Sequence, residues 1–327
     1  MKKSSRYSII LLLALVSITA QGQQLPIFSQ YVLNGFIVNP AMAGHDGYTS
    51  VNTTARQQWV GFGDAPQTFS ATWQTRILQR SHRIVKHPIR NKNILIPSSR
   101  GRVGLGAYVI NDVNGKLSRT GIQFTYAYHI ILENNQLSFG LAGKLFQFRI
   151  ATDELEFGRD YDPLVNAGIH NVGYTPDVDF GIHVSNKEYF FGASISNLFQ
   201  SVVNLGGISN ENKIYRHYWL MGGYRFDMGK NFIIEPNAIF KTTEQWIPQG
   251  DIGAKVYYMD DYWLGVAFRT DGSLISLMGF NTGGFYFGYA YDYAFTSIQR
   301  FNFGTHELSL SYKFGDESRR YRWLRRY

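Results

Sequence analysis

Residues 121–130 read GIQFTYAYHI, so that Ile122, Phe124, Tyr126, Tyr128 and Ile130 share one phase while Gln123, Thr125, Ala127 and His129 share the other. Successive side chains of an extended backbone point to opposite faces, so a period of two specifies a strand with one apolar face. The pattern recurs in Val178, Phe180, Ile182 and Val184 against Asp179, Gly181, His183 and Ser185. It recurs again in Ile252, Ala254, Val256 and Tyr258 against Gly253, Lys255 and Tyr257, and in Phe285, Phe287, Tyr289 and Tyr291 against Tyr286, Gly288, Ala290 and Asp292. Such segments fall near 48–59, 67–75, 102–111, 118–132, 136–149, 177–185, 188–197, 215–226, 230–241, 249–258, 261–270, 273–281, 283–292 and 305–314. They number about fourteen, an even count, with lengths near the ~10 residues of a tilted membrane strand.

A soluble β-sandwich would also alternate, but it exposes its polar face to water and dresses it with Lys and Glu. Here charged residues are 17% of the chain, against about 25% in ordinary soluble domains. The second face is Gly, Ser, Thr and Gln with scattered charges, as a crowded barrel interior requires. The reading is an all-β fold, a transmembrane antiparallel β-barrel of about fourteen strands. Alternate connections carry hairpin chemistry, at Glu133-Asn134-Asn135, Asn186-Lys187, Asp227-Met228-Gly229, Met259-Asp260-Asp261 and Asn281-Thr282-Gly283. The intervening connections include long ones near 150–176, 198–214 and 293–304. Short turns on the periplasmic side and long loops outside put both chain ends in the periplasm. The last strand, with Leu308, Leu310, Tyr312 and Phe314 on one phase, resembles the terminal strand by which outer-membrane barrels are recognised for insertion.

Ahead of the strands, Lys2, Lys3 and Arg6 precede an apolar run at residues 9–16 and small residues at Ala20 and Gly22, the three regions of a secretory signal. The run is too short for a spanning helix. There is no cysteine, which excludes a lipid-modified cysteine anchor and a disulfide scaffold. The formal charge of +8 falls to +5 once the three basic residues of the leader are set aside. The expected organisation is a signal peptide at 1–22, a periplasmic lead-in at 23–47, the barrel at 48–315 and a basic periplasmic tail at 316–327.

The lead-in resists regular ladders at Pro26, Asn39-Pro40 and Gly44, yet Phe28, Tyr31, Leu33, Phe36 and Ile37 require burial. It is expected to be ordered and to dock in or under the lumen, packed against the periplasmic mouth. Its residues also carry a resemblance. Phe28-Ser29-Gln30-Tyr31, Asn39-Pro40-Ala41 with Ala43-Gly44, Arg56-Gln57-Gln58-Trp59 and Ala65-Pro66-Gln67-Thr68 follow one another as in the PorP/SprF family of Bacteroidetes outer-membrane proteins. The resemblance implies a barrel of the type IX secretion system. Its partners would be that system's components and a secreted or surface adhesin with a C-terminal sorting domain, in some members serving gliding motility. A passive outer-membrane channel or transporter is the alternative.

Two basic elements are expected on the periplasmic side. The link between the second and third segments contains Arg80, Arg83, Lys86 and Arg90 and no acid between residues 76 and 92, and the tail contains Arg319, Arg320, Arg322, Trp323 and Arg325. With Phe28 and Tyr31 they are the candidate partner-binding residues, for a periplasmic or peptidoglycan-associated protein or for anionic outer-membrane lipid headgroups. Nucleic acid is misplaced in that compartment. The residues 78–98 are longer than the family's usual link there. On the inward phase, Arg56, Lys144, Asp179, His183, Arg225, Glu235, Lys255, Arg269, Glu307 and Lys313 mix both signs, as salt-bridged struts would. No enzyme is expected, since no Gly-x-Ser-x-Gly is present and no histidine pairs with a serine and a carboxylate in triad fashion. No cofactor or metal is expected either, because the acidic residues 153–162 lack the spacing of a calcium loop, and His82, His87, His217 and His306 have no second ligand at metal spacing.

Overall fold

The computed structural model describes residues 28–31, 34–77, 80–86, 93–99, 102–132, 135–151, 172–203, 213–229 and 231–314, with backbone alone at 80–86 and 93–99. The wall begins with β1 (Thr49–Gln57) and β2 (Gln67–Ile77), followed by a separate hairpin of β3 (Arg80–Lys86) and β4 (Asn93–Ser99). It continues with β5 (Val103–Asn114), β6 (Leu117–Leu132), β7 (Asn135–Ile150), β8 (Val172–Ser185), β9 (Tyr189–Ser196) and β10 (His217–Tyr224). A two-residue β11 (Phe226–Asp227) leads to β12 (Phe232–Thr243), β13 (Gln249–Tyr258), β14 (Tyr262–Arg269), β15 (Ser273–Thr282), β16 (Phe285–Ala294) and β17 (Thr305–Phe314). Wall neighbours pair antiparallel, β2 passes directly to β5, and β10 with β12 and β1 with β17 join the remaining edges. The result is a closed 14-strand barrel, the arrangement in which every backbone polar group of a β membrane protein is satisfied.

The wall is inside-out relative to a soluble protein. Phe124, Ile252, Leu264 and Leu308 face outward and are 67%, 68%, 65% and 60% exposed. Leaving each in water would forfeit about 1.5–3 kcal/mol, so the outer face is a lipid face. Among the described residues the buried set is dominated by Ser, Thr, Asn, Gln and charged side chains. Aromatic pairs ring one end of the band: Phe285 with Tyr312 at 4.4 Å, Phe232 with Tyr258 at 4.9 Å, and Phe280 with Phe287 at 4.9 Å between ring centroids. This near end carries the turns at 186–188, 259–261 and 283–284, the start of β1 and the close of β17, with Thr49 opposite Phe314. At the far end the outer face turns polar, where Asn111 Nδ2 donates to Thr120 Oγ1 at 2.8 Å and Gln147 to the Tyr174 hydroxyl at 3.1 Å. The two 16-residue strands β6 and β7 are ~53 Å long at ~3.3 Å per residue. An apolar band ~25 Å tall needs only ~35 Å of tilted strand, so this part of the wall stands clear of the lipid.

The turns follow from their residues. Gly283 and Gly284 take φ of +58° and +88°, the left-handed pair of a type I′ hairpin. Pro236 lies inside β12, where its missing N–H would ordinarily break a ladder. β10 stops pairing at Gly223 opposite Asn237 and β11 resumes at Phe226 opposite Ile234, so the proline faces the interruption at Tyr224-Arg225. Between β2 and β5, the long basic link forms the β3–β4 hairpin, with Arg80 opposite Ser99 and Lys86 opposite Asn93. No helix among the described residues is long and apolar enough to cross a membrane.

Candidate functional site

The lumen is occupied by the chain's own residues 28–31 and 34–47, parts of one strap. Its first described residues sit in the far part of the barrel. The backbone N–H groups of Ser29 and Gln30 both donate to the Glu307 carboxylate at 2.8 Å, and Ser29 Oγ donates to Asp292 at 2.9 Å. Midway, Tyr31 donates its hydroxyl to Asn237 Oδ1 at 2.8 Å, and Thr72 donates to Asn34 Oδ1 at 3.1 Å. A single helical turn, α1 (Gly35–Val38), is followed by a 3₁₀ turn over Pro40–Met42. Asn39 joins them: its Oδ1 accepts from Ala41 N at 3.0 Å, capping a turn that opens on proline. Its Nδ2 donates to the carbonyls of Ile182 at 2.9 Å and Ala193 at 3.3 Å. The Asn-Pro pair is therefore a bracket between the strap and the β8–β9 wall.

At the near end His129 Nε2 donates to the Ala43 carbonyl at 3.0 Å, while Gln136 Nε2 lies 2.7 Å from His45 Nδ1 and Ser185 Oγ 3.1 Å from His45 Nε2. Arg76 Nη1 donates to Gln136 Oε1 at 2.9 Å, and Lys313 Nζ is 3.2 Å from Asp46. Apolar packing supplements these polar contacts. Phe28, Tyr31, Phe36, Val38 and Met42 of the strap form one buried cluster with Tyr108, Ile110, Phe146, Trp219, Met221 and Ile239 of the wall. Phe36 is 1% exposed; the strap completes this larger cluster, while a smaller one of Ala267, Ile275, Leu277 and Ala290 is built by the wall alone.

The inward charges are paired mostly with one another. Arg56 spans Asp292 and Glu307, both at 3.0 Å, and Arg269 contacts Asp251 at 2.8 Å and Asp292 at 3.3 Å. Lys144 meets Asp179 at 2.5 Å, and Arg225 lies 3.6 Å from Glu235 and 3.0 Å from Asp260. Arg225 and Lys313 also stack over Tyr257 and Tyr286, at 5.3 Å and 4.5 Å. Nine of the ten residues assigned to the inward phase, Lys255 and His183 included, are buried in the lumen, and Lys313, near the end of β17, is half-buried. Asp251 and Asp292 belong to the same network, and His129 and Gln136 to the separate polar cluster around His45; none is in the inward-phase set above, although alternation places each on the inward phase. The strap's partners Asn34, Asn39, His45 and Asp46 carried no such signal.

The candidate partner-binding residues divide three ways. Phe28 and Tyr31 are not at an open mouth; they lie inside the lumen, 6% and 5% exposed, because the strap runs through the barrel instead of resting beneath it. Arg80, Arg83 and Lys86 fall on β3, whose backbone leaves β2 at the near end. Arg90, Arg319, Arg320, Arg322, Trp323 and Arg325 lie outside the described residues, as do the signal segment, Leu33, His87 and the acidic residues 153–162. Among the described residues no group of three His, Asp or Glu side chains is arranged to hold a metal ion.

Comparison with known proteins bears on this arrangement. The profile of the family described as "Type IX secretion system membrane protein PorP/SprF" matches residues 20–312. No curated protein matches significantly. Among solved structures, the outer membrane protein Omp33 of Acinetobacter baumannii aligns at 9% identity and a TM-score of 0.43, covering 82% of this chain and 100% of that one. A FadL homologue of Pseudomonas aeruginosa aligns at 9% identity and 0.44, covering 90% and 96%. The KdgM porin aligns at 9% and 0.38, covering 81% and 99%. These likenesses are too slight to add to the strand pairings. The family match spans the strap and nearly the whole wall, and the chain belongs to the PorP/SprF family of type IX secretion system membrane proteins, as an outer-membrane β-barrel.

Proposed function

We propose that this barrel is a non-enzymatic, sealed component of the type IX system that supports export or surface anchoring of an adhesin with a C-terminal sorting domain, and that it contacts the machinery from its near end. The observation that carries the reading is the strap. A barrel whose lumen is crossed by the described strap residues 28–31 and 34–47, bonded to β1, β2, β6, β7, β8, β9, β12, β16 and β17, has little room for permeation, which favours a docking part over a passive channel. Short turns at the near end favour a periplasmic position for that end, and Thr49 and Phe314, the start and end of the wall, lie there. The β3–β4 hairpin carrying Arg80, Arg83 and Lys86, with Arg90 and the tail residues Arg319, Arg320, Arg322, Trp323 and Arg325, would then offer a cationic periplasmic surface for a protein partner.

Mild-detergent purification of the tagged chain from its native membrane tests this. Type IX components and a large adhesin should co-purify, and deletion of 78–98 or 316–327 should reduce the machinery's recovery. In planar bilayers the purified chain should give no steady conductance. A lone, conducting barrel would return the assignment to a channel.

A further inference from the structure

The wall treats the strap as a peptide. We propose that the lumen is a polypeptide-binding groove whose resident occupant, residues 28–47, is exchangeable for an uncharged, aromatic- and amide-rich segment of a partner protein.

Two independent features point to recognition of a main chain. First, wall side chains address the strap's backbone groups. Glu307 takes the N–H groups of residues 29 and 30, Gln74 Oε1 takes that of Gly44 at 2.9 Å, Ser194 Oγ donates to the Val38 carbonyl at 2.7 Å, and His129 donates to that of Ala43 at 3.0 Å. Bonds of this kind hold a backbone whatever its side chains, as in peptide recognition generally. Second, the inner wall is cut away with glycine where the strap's backbone and amides pass. A Cβ at Gly104 would strike the Ala43 carbonyl, one at Gly140 the Pro40–Ala41 peptide, one at Gly181 the Asn39 amide and one at Gly288 the Gln30 amide. Glycine at a strand interior marks close approach of another chain.

The occupant's chemistry follows from the resident. Residues 28–45 contain no Asp, Glu, Lys or Arg, while Arg56, Arg269 and Lys144 find their counter-charges on the wall itself. These struts would stay with the wall when the strap leaves; the exception is Lys313, whose partner Asp46 sits at the strap's junction with β1. An incoming segment must supply aromatic or aliphatic groups for the cluster of Tyr108, Phe146, Trp219 and Ile239, and amides for the carbonyls of Ile182 and Ala193. The strap joins the wall on one side alone among the described residues, through Gly47 and Tyr48 into β1, so it can withdraw without breaking the barrel's ladder.

The test keeps the full chain. A site-specific protease sequence is inserted between Gly47 and Tyr48, the chain is folded in detergent and then cut, and a fluorescent synthetic peptide with the sequence of residues 28–47 is added in excess. The severed strap should stay with the barrel through gel filtration and be replaced by the labelled peptide, with about tenfold or greater incorporation over a scrambled peptide. Equal incorporation of both, or none of either, overturns the proposal. Hydrogen exchange on the uncut, unaltered chain gives a second reading: the amides of Ser29, Gln30 and Gly44 should exchange at least about tenfold faster than those in the centres of β6 and β7, as a sub-global opening requires. Strap amides as slow as the wall's would end the idea. The inference goes beyond the sealed-barrel reading, since a strap that never exchanges leaves that reading intact while refuting this one.

Discussion

Replacing Glu307 by alanine should loosen the strap without unravelling the wall. The carboxylate is buried and accepts three bonds, from the N–H groups of Ser29 and Gln30 at 2.8 Å and from Arg56 Nη1 at 3.0 Å. Its loss strands two main-chain donors, each worth about 1–3 kcal/mol when left unsatisfied, although water entering the lumen would recover part of that. Arg56 keeps Asp292 at 3.0 Å, so the full 3–5 kcal/mol for orphaning a buried charge does not apply. A net cost of about 3 kcal/mol to strap docking is about a 100-fold rise in the open population. The chain has no cysteine, so a single Met42→Cys on the strap, a site 9% exposed, reports opening through its rate of maleimide labelling. Relative to Met42→Cys alone, adding Glu307→Ala should raise that rate about 100-fold, and Glu307→Gln, which keeps one acceptor oxygen, about tenfold. The barrel's heat resistance on a denaturing gel should be unchanged, because the β1–β17 register is made by backbone groups. A labelling rate within about threefold of the reference would refute the assignment of Glu307 as the strap's far anchor.

The remaining predictions probe other contacts. Gly140→Leu should drive a side chain into the Pro40–Ala41 peptide and give a steady conductance in planar bilayers, whereas Gly143→Leu, with open space at its Cβ, should leave the barrel sealed. Phe124→Arg on the lipid face should cost about 2–4 kcal/mol in folding into vesicles, while Thr120→Arg, above the apolar band, should cost about 0–1 kcal/mol. Asp46→Asn removes the buried partner of Lys313 at 3.2 Å, and should raise Met42→Cys labelling about tenfold; adding Lys313→Met should restore part of the protection, as coupled residues do.

The wall could be read from the sequence because its rule is local. Ile122, Phe124 and Tyr126 alternate with Gln123 and Thr125 in any window of ten residues, and the short supply of charge says which side meets lipid. The tight turns announce themselves in the same way, as with Gly283-Gly284. The hairpin β3–β4 was hidden because Arg80–Lys86 shows no clean alternation and pairs outside the wall. The strap's depth was hidden for another reason. Its partners are remote in sequence: Asn39 bonds residue 182, Tyr31 bonds residue 237 and Ser29 bonds residue 307. Nothing local to Phe28 or Tyr31 separates burial beneath a mouth from burial within a lumen; both satisfy the same apolar demand.

A signal was nonetheless present, on the wall and not on the strap. Inward positions are small through much of the barrel: Ser50, Asn52 and Thr54 on β1, Gly104 and Gly106 on β5, Gly140 on β7, Gly181 and Ser185 on β8, Ser309 and Ser311 on β17. Side chains of that size cannot meet across a ring of fourteen strands, and protein interiors are packed to near crystal density. Such a lumen must hold water or a filler. Hydroxyl and amide groups facing glycine clefts suit a filler with a bare backbone and hydrogen bonds to give, and an uncharged segment with paired amides supplies both. The small inward residues and the strap, which carries no Asp, Glu, Lys or Arg from residue 28 to 45, are therefore two halves of one requirement, and a substitution that enlarges the first should be tolerated only where the second is shortened to match.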